Sequence, residues 1–187
     1  MNTELFAPFS IVVSSLTILG ILFEHVVWRC RLLHGWFVKR PDIRGTWRSI
    51  IESDWTSEDN QDSRKTIEGY MGITQTLSKL QMHLMTAESE SWLTAQDIHE
   101  SPTGSGYEVV GVFTNRPDAL LRGATSEMHF GTIVLTTHGQ LVRKPSEMRG
   151  EYWTDRKTKG TMRLTWIANT VYTTFDSISK VESHWAT

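Results

Sequence analysis

Residues 43–55 read IRGTWRSIIESDW, and residues 107–115 read YEVVGVFTN. In the first stretch Ile43, Gly45, Trp47, Ser49 and Ile51 fall on one set of alternate positions, and Arg44, Thr46, Arg48 and Glu52 fall on the other. Side chains alternate across a β-strand with a period of two, so this pattern describes a strand with one face inward and one in water. The second stretch repeats it, with Tyr107, Val109, Gly111, Phe113 and Asn115 sharing the inner face.

Working outward from these two, the same test finds strands over residues 43–55, 66–77, 79–87, 89–98, 107–115, 126–137, 148–156 and 160–167. Turn chemistry separates them: SEDNQDS, SPTGSG, RPDALLRGA, THGQLVRKP and the tight RKTKG. No amphipathic helix lies between strands, which excludes the crossovers that a parallel sheet needs. The fold class is therefore all-β. Eight antiparallel strands with short links remove their edges best by closing into an up-and-down, lipocalin-like β-barrel, with a sandwich as the alternative. Further inner-face positions are Ile67, Gly69, Met71, Ile73 and Gln75; Leu80, Met82 and Leu84; Glu127, His129, Gly131, Ile133 and Leu135; and Gly150, Tyr152, Thr154 and Arg156. An inner wall that mixes Gly, Tyr, Asn, His, Thr and Arg with aliphatics fits a ligand cup better than a solid core, since burying unused donors is costly. Trp47 is expected at the closed floor, with Arg163 on the last strand as its stacking partner.

Before the barrel, residues 5–23 read LFAPFSIVVSSLTILGILF without a charge. As a helix they would cover about 28 Å, close to the ~30 Å of bilayer hydrocarbon. The flank MNTE lacks the basic character of a signal peptide. Arg29, Arg31, Lys39 and Arg40 all follow the run, whereas only Glu4 precedes it, so the positive-inside rule places the barrel in the cytoplasm. Trp28 and Trp36 are expected in an interfacial belt. Residues 24–38 would either prolong the helix until Pro41 or turn back as the arm of a hairpin, and Arg29, Arg31 and His34 make one crossing preferable to two. The domains are then an anchor at 1–40, a barrel at 41–167 and a C-terminal piece at 168–187. In that last piece VYTTF reads as a ninth strand or a clasp and SISKVESHW as a short helix.

Composition limits function further. The chain has 187 residues and a formal net charge of −2, which gives no global field for binding DNA or RNA polymers. Its one cysteine, Cys30, rules out an internal disulfide or a cysteine metal site. No phosphate loop, GxSxG elbow, HExxH or CxxC occurs, and the seven histidines are scattered. Glu52, Asp54, Glu58, Asp59 and Asp62 read as a solvated rim. The expectation is a binding protein without a cofactor rather than an enzyme.

Three stretches, RPDIRGTW (40–47), FTNRP (113–117) with HFGTIVL (129–135), and GEYWTDRKTKGTMRL (150–164), give a likeness to a known family. Taken with the anchor, the chain resembles the membrane-anchored β-barrel effectors of bacterial antiphage signalling by cyclic oligonucleotides, the SMODS-associating two-transmembrane β-strand-rich effectors. It departs from that description in having one span where two are named. The resemblance implies that a nucleotidyltransferase makes a cyclic dinucleotide, that the cytoplasmic barrel binds it, and that the anchored subunits form a homo-oligomer which disrupts the inner membrane. Such a ligand needs aromatic faces for its bases and cations or donors for its phosphates. Tyr107 and Tyr152 would stack, Arg156 would meet phosphate, and Gln75, Asn115 and Thr154 would reach base edges or phosphate oxygens. His129 is a further contact candidate. Along the anchor Ala7, Ser10, Ser14 and Thr17 form a small-residue stripe suited to close helix packing during oligomerisation. A lipocalin-like binder of an apolar molecule, an enzyme of lipid-linked substrates and a filled structural adaptor are the alternatives.

Overall fold

The computed structural model describes residues 6–54, 65–104, 106–121, 127–137 and 144–185. Its strands are β1 (Gly45–Ser53), β2 (Lys65–Gln75), β3 (Leu80–Thr86), β4 (Ser89–Glu100), β5 (Tyr107–Pro117), β6 (His129–Thr137), β7 (Glu147–Thr154) and β8 (Lys159–Ala168). Each pairs antiparallel with the next, and β1 closes on β8, giving a closed barrel in the order of the chain. The sandwich alternative is thereby removed. Trp55, Glu58, Asp59, Asp62 and Ser126 lie outside the described residues.

Alternation delivers the expected core. Ile43, Trp47, Ile73, Val109, Leu135, Met148 and Leu164 are fully enclosed and fill the end where β1 begins. Trp47 donates its indole N–H to the Ile43 carbonyl at 2.9 Å, which explains why a tryptophan can sit in this floor. Gly45 before it has φ +118°, and a Cβ there would lie 2.2 Å from the Ala168 carbonyl oxygen. Only glycine fits where the first strand starts against the last. Arg163 does not stack on Trp47. It lies on the outer face between Ile50 and Arg149, 3.7 Å from the Glu147 carboxylate, because β8 directs Met162 and Leu164 inward and so must direct Arg163 outward.

The apolar run forms α1 (Phe6–His25), long and apolar enough to cross a membrane and unburied from Pro8 to His25. Residues 26–40 neither prolong it nor return as a hairpin arm. They fold into a collar of turns around a short 3₁₀ helix, Val27–Arg29, with a bridge from His34 to Val38. This corrects the expectation for Trp28, which is fully buried under the Arg44 guanidinium at 5.7 Å, while Trp36 stays 78% exposed. Arg44 is itself fixed by two hydrogen bonds to the Asp42 carboxylate, at 2.8 and 2.7 Å. The collar joins the floor of the barrel through the β2–β3 turn. Glu24 accepts hydrogen bonds from Thr76 and from the Ser78 hydroxyl and amide, and Arg40 donates to the Leu77 carbonyl.

After β8 the chain makes no ninth strand. Residues 169–174 run as a strap up the outside of β1 and β2, where the Thr46 hydroxyl bonds the Thr170 carbonyl and the Tyr172 amide. Gly72 permits this approach, because a Cβ there would meet the Tyr172 carbonyl oxygen at 2.7 Å. The strap leads to α2 (Phe175–Trp185), which covers the expected short helix and docks on β2 and β3 through Ile178, Tyr70 and Met85.

Candidate functional site

Above the floor the barrel is hollow. A cavity of about 670 Å³ extends to the rim where β1, β3, β5 and β7 end, within the usual size of ligand pockets. Its lower wall is apolar, from Ile51, Met71, Met82, Leu84, Ile133 and Met162. Polar side chains gather near the mouth. Since α1 attaches by the floor, the cavity opens away from the apolar helix.

Two polar groups are built into the mouth. On one side the β7–β8 turn holds Thr154, Asp155, Arg156 and Thr158. The Thr154 amide bonds the Thr158 carbonyl at 2.9 Å, the two hydroxyls meet at 2.7 Å, and Lys157 takes a left-handed φ of 63° to close the turn. Asp155 ties this turn to Phe130 of β6, and Asp54 accepts the Lys159 amide at 2.8 Å. So braced, the turn carries Arg156 to His129. The His129 Nδ1–H donates to the Glu127 carbonyl at 3.1 Å, leaving Nε2 as acceptor, and Arg156 donates to the same carbonyl at 3.3 Å. Burial holds the His129 imidazole below its ordinary pKa; the Glu127 carbonyl opposes this, Arg156 adds to it and Asp155 opposes it. The net effect favours the neutral ring beside a permanent cation. Tyr152 lies on the same strand as Thr154 and lines the cavity, its phenol pushed up chiefly by burial although the Ser53 hydroxyl bonds it.

Next to His129, its ladder partner on β6, stands Asn115. Its amide nitrogen donates to Ser91 Oγ at 2.8 Å and Ser89 Oγ at 3.1 Å, which turns the carbonyl oxygen away from both as a remaining acceptor. Thr86 fixes the β3–β4 turn from below by bonding the Ser89 carbonyl and amide.

Of the seven side chains read from the sequence as ligand contacts, Asn115, His129, Tyr152, Thr154 and Arg156 line this cavity. Gln75 and Tyr107 do not. Gln75 is buried at the floor, where it accepts the Ile43 amide and donates to the Pro41 carbonyl, so it pins the collar to the barrel. Tyr107 opens β5 at the same end and directs its hydroxyl to Glu100, with burial the main cause of its raised pKa. Both share the inner face of their strands with true cavity residues, but alternation gives the face and not the depth. Ser89 and Ser91 were missed for a different reason. A bulge between Leu93 and Ala95 shifts the β4 register, so no single alternation runs through that strand.

On the anchor, Ser10, Ser14 and Thr17 are exposed on α1, with the Thr17 hydroxyl bonded back to the Val13 carbonyl at 2.9 Å. The side chain of Ala7 lies outside the described residues.

Residues 38–166, well over half of the chain, match the family model described as Cap15, cyclic dinucleotide receptor domain. No curated protein matches the chain.

Proposed function

The chain belongs to the Cap15 cyclic dinucleotide receptor family, and from that premise we propose that it is an antiphage effector whose barrel takes a cyclic dinucleotide at the polar mouth. In this reading α1 anchors the protein in the bacterial inner membrane with the barrel in the cytoplasm. A nucleotidyltransferase supplies the ligand, and the ligand-bound subunits assemble and disrupt the membrane. Arg156 meets a phosphate, His129 and Thr154 offer further polar contacts to the anion, Tyr152 gives a face for one base, and Asn115 with Ser91 offers an acceptor and a hydroxyl to a base edge.

The direction of the cup carries this reading. Its mouth opens on the side opposite the apolar helix, and its cation and donors sit at that mouth, so the arrangement suits a water-borne anion. The apolar lower wall is what a lipocalin-like binder of an apolar molecule would use. That alternative would draw its ligand from the bilayer, and here the floor, sealed by Trp47 and its neighbours, faces α1.

The test is calorimetric titration of the full chain in nanodiscs with cyclic di-AMP, cyclic di-GMP and mixed purine and pyrimidine cyclic dinucleotides. Saturable binding of one of them, weakened in Arg156→Ala, is expected. Binding of none, with fatty acid or haem bound instead, would replace this reading by the apolar one.

A further inference from the structure

The barrel wall has a notch at its mouth. The ladder between β2 and β3 begins at Gly69–Thr86, so residues 65–68 stand above the end of β3 with β1 as their only paired neighbour. β3 meets β4 only at His83–Trp92, Leu84–Ser91 and Met85–Glu90. Through this gap the cavity passes from the interior to the outer side of β2, where Thr66 and Glu68 border it. One exposed ion pair spans the gap, Lys65 to Glu88 at 3.8 Å, and such a pair contributes little to holding it closed.

What stands outside the notch is Phe175, the first residue of α2. Its ring lies 5.4 Å from that of Tyr70, and Ile178 one turn later is fully enclosed against Tyr70 and Met85. The helix thus hangs on a small apolar patch, with Phe175 at the edge of the cavity. Residue 175 lies beyond the family match, which ends at 166.

We propose that Phe175 forms a lateral subsite in which one base of the ligand stacks, so that the C-terminal helix is a latch held by the bound molecule; this rests on the cyclic dinucleotide reading above. The geometry of the ligand class requires such a place. A cyclic dinucleotide carries two flat bases on opposite sides of a ring of two phosphates. The interior of an eight-stranded barrel holds one small ligand, and here its lower part is occupied by the floor. A molecule with one base lowered beside Tyr152 keeps its phosphates at the mouth and its other base at the rim. Among the described residues the notch is where the cavity also opens sideways, and Phe175 presents an aromatic face there.

The experiment measures affinity of the full chain in nanodiscs for whichever cyclic dinucleotide of the panel binds best, together with amide hydrogen exchange over α2. Phe175→Leu keeps apolar contact with Tyr70 and removes the flat face, and it should weaken binding by about tenfold. Phe175→Trp should bind as the parent does. Ile178→Ser, which undocks the helix, should weaken binding like Phe175→Leu, and in the parent ligand should slow exchange in α2. Parental affinity in Phe175→Leu, with exchange in α2 unchanged by ligand, would overturn the latch and leave the receptor reading intact. If the parent binds no cyclic dinucleotide, the receptor reading falls first and the latch with it.

Discussion

Arg156 and His129 are where the physical chemistry of the mouth is most concentrated, and they make separable predictions. Arg156→Ala removes the permanent cation and Tyr152→Ala the stacking face; each should weaken ligand binding by about 1–3 kcal/mol while thermal unfolding stays near the parent value. For His129 the sign follows from its depressed pKa. A phosphate placed beside the ring favours the imidazolium, so the bound-state pKa exceeds that of the free protein, and a proton is taken up on binding. Affinity should therefore rise as pH falls from neutrality through the bound pKa, and His129→Gln should flatten that slope in titrations between pH 8 and about pH 5.5. Asp42 gives the opposite lever, acting on stability. Burial raises its pKa, but the hydrogen bonds and charge of Arg44 outweigh burial and hold the carboxyl below its ordinary value. A depressed carboxylate pKa stabilises the fold above the unfolded-state value and loses that contribution as pH falls through the folded-state one. Asp42→Asn should accordingly cost on the order of 1–3 kcal/mol at pH 7 by chemical denaturation and blunt the acid limb of the stability profile.

At the scale of elements the informative piece is the collar between α1 and β1. Its hydrogen bonds tie the end of the helix to the β2–β3 turn, so α1 and the barrel floor are linked by Glu24 and Arg40 rather than by a loose tether. With Trp28 buried, the most exposed apolar side chains of this region are Leu32, Trp36 and Phe37, beside the end of α1 where Phe37 meets Phe23 edge-on at 5.7 Å. If α1 spans the bilayer, these three sit at the headgroup level with Arg29, Arg31 and Lys39 around them. A nitroxide at residue 36 in Trp36→Cys, with Cys30→Ser, should then report a depth near the lipid interface, and one at residue 16 in Leu16→Cys a position near the bilayer centre. A water-exposed label at residue 16 would remove the anchor itself. Along α1, Ser10→Leu with Ser14→Leu should leave insertion and ligand binding as they are and suppress ligand-driven oligomers, read by crosslinking in vesicles. Unchanged oligomers would show that the small-residue stripe is incidental.

Considered as a whole, the molecule is a cup standing on its closed end over an apolar helix. That arrangement makes orientation decisive for function. On the proposed orientation, with the basic residues after α1 on the cytoplasmic side, a periplasm-only reporter fused at the C-terminus should remain silent in cells. An active reporter would put the mouth in a compartment where a cytosolic messenger does not reach it.

How much of this is written in the chain differs from level to level. The period of two in residues 43–55 and 107–115 specifies strands, inner faces and, with eight such segments and no crossover helices, the closed antiparallel barrel. The nineteen uncharged residues 5–23 specify a helix of spanning length. These are properties of near neighbours, and sequence carries near neighbours directly. Depth along the barrel is different: Gln75 and Asn115 are both polar, inward and buried, and only the closure of the sheet decides that one pins the collar at the floor while the other faces the cavity. The burial of Trp28 depends on Arg44, sixteen residues on, and the Ser89 and Ser91 pair on a bulge that breaks alternation. Phe175 depends on a strap that climbs the outside of the barrel because Thr46 and Gly72 admit it. Each is a long-range contact, made only once eight strands have fixed which distant residues meet.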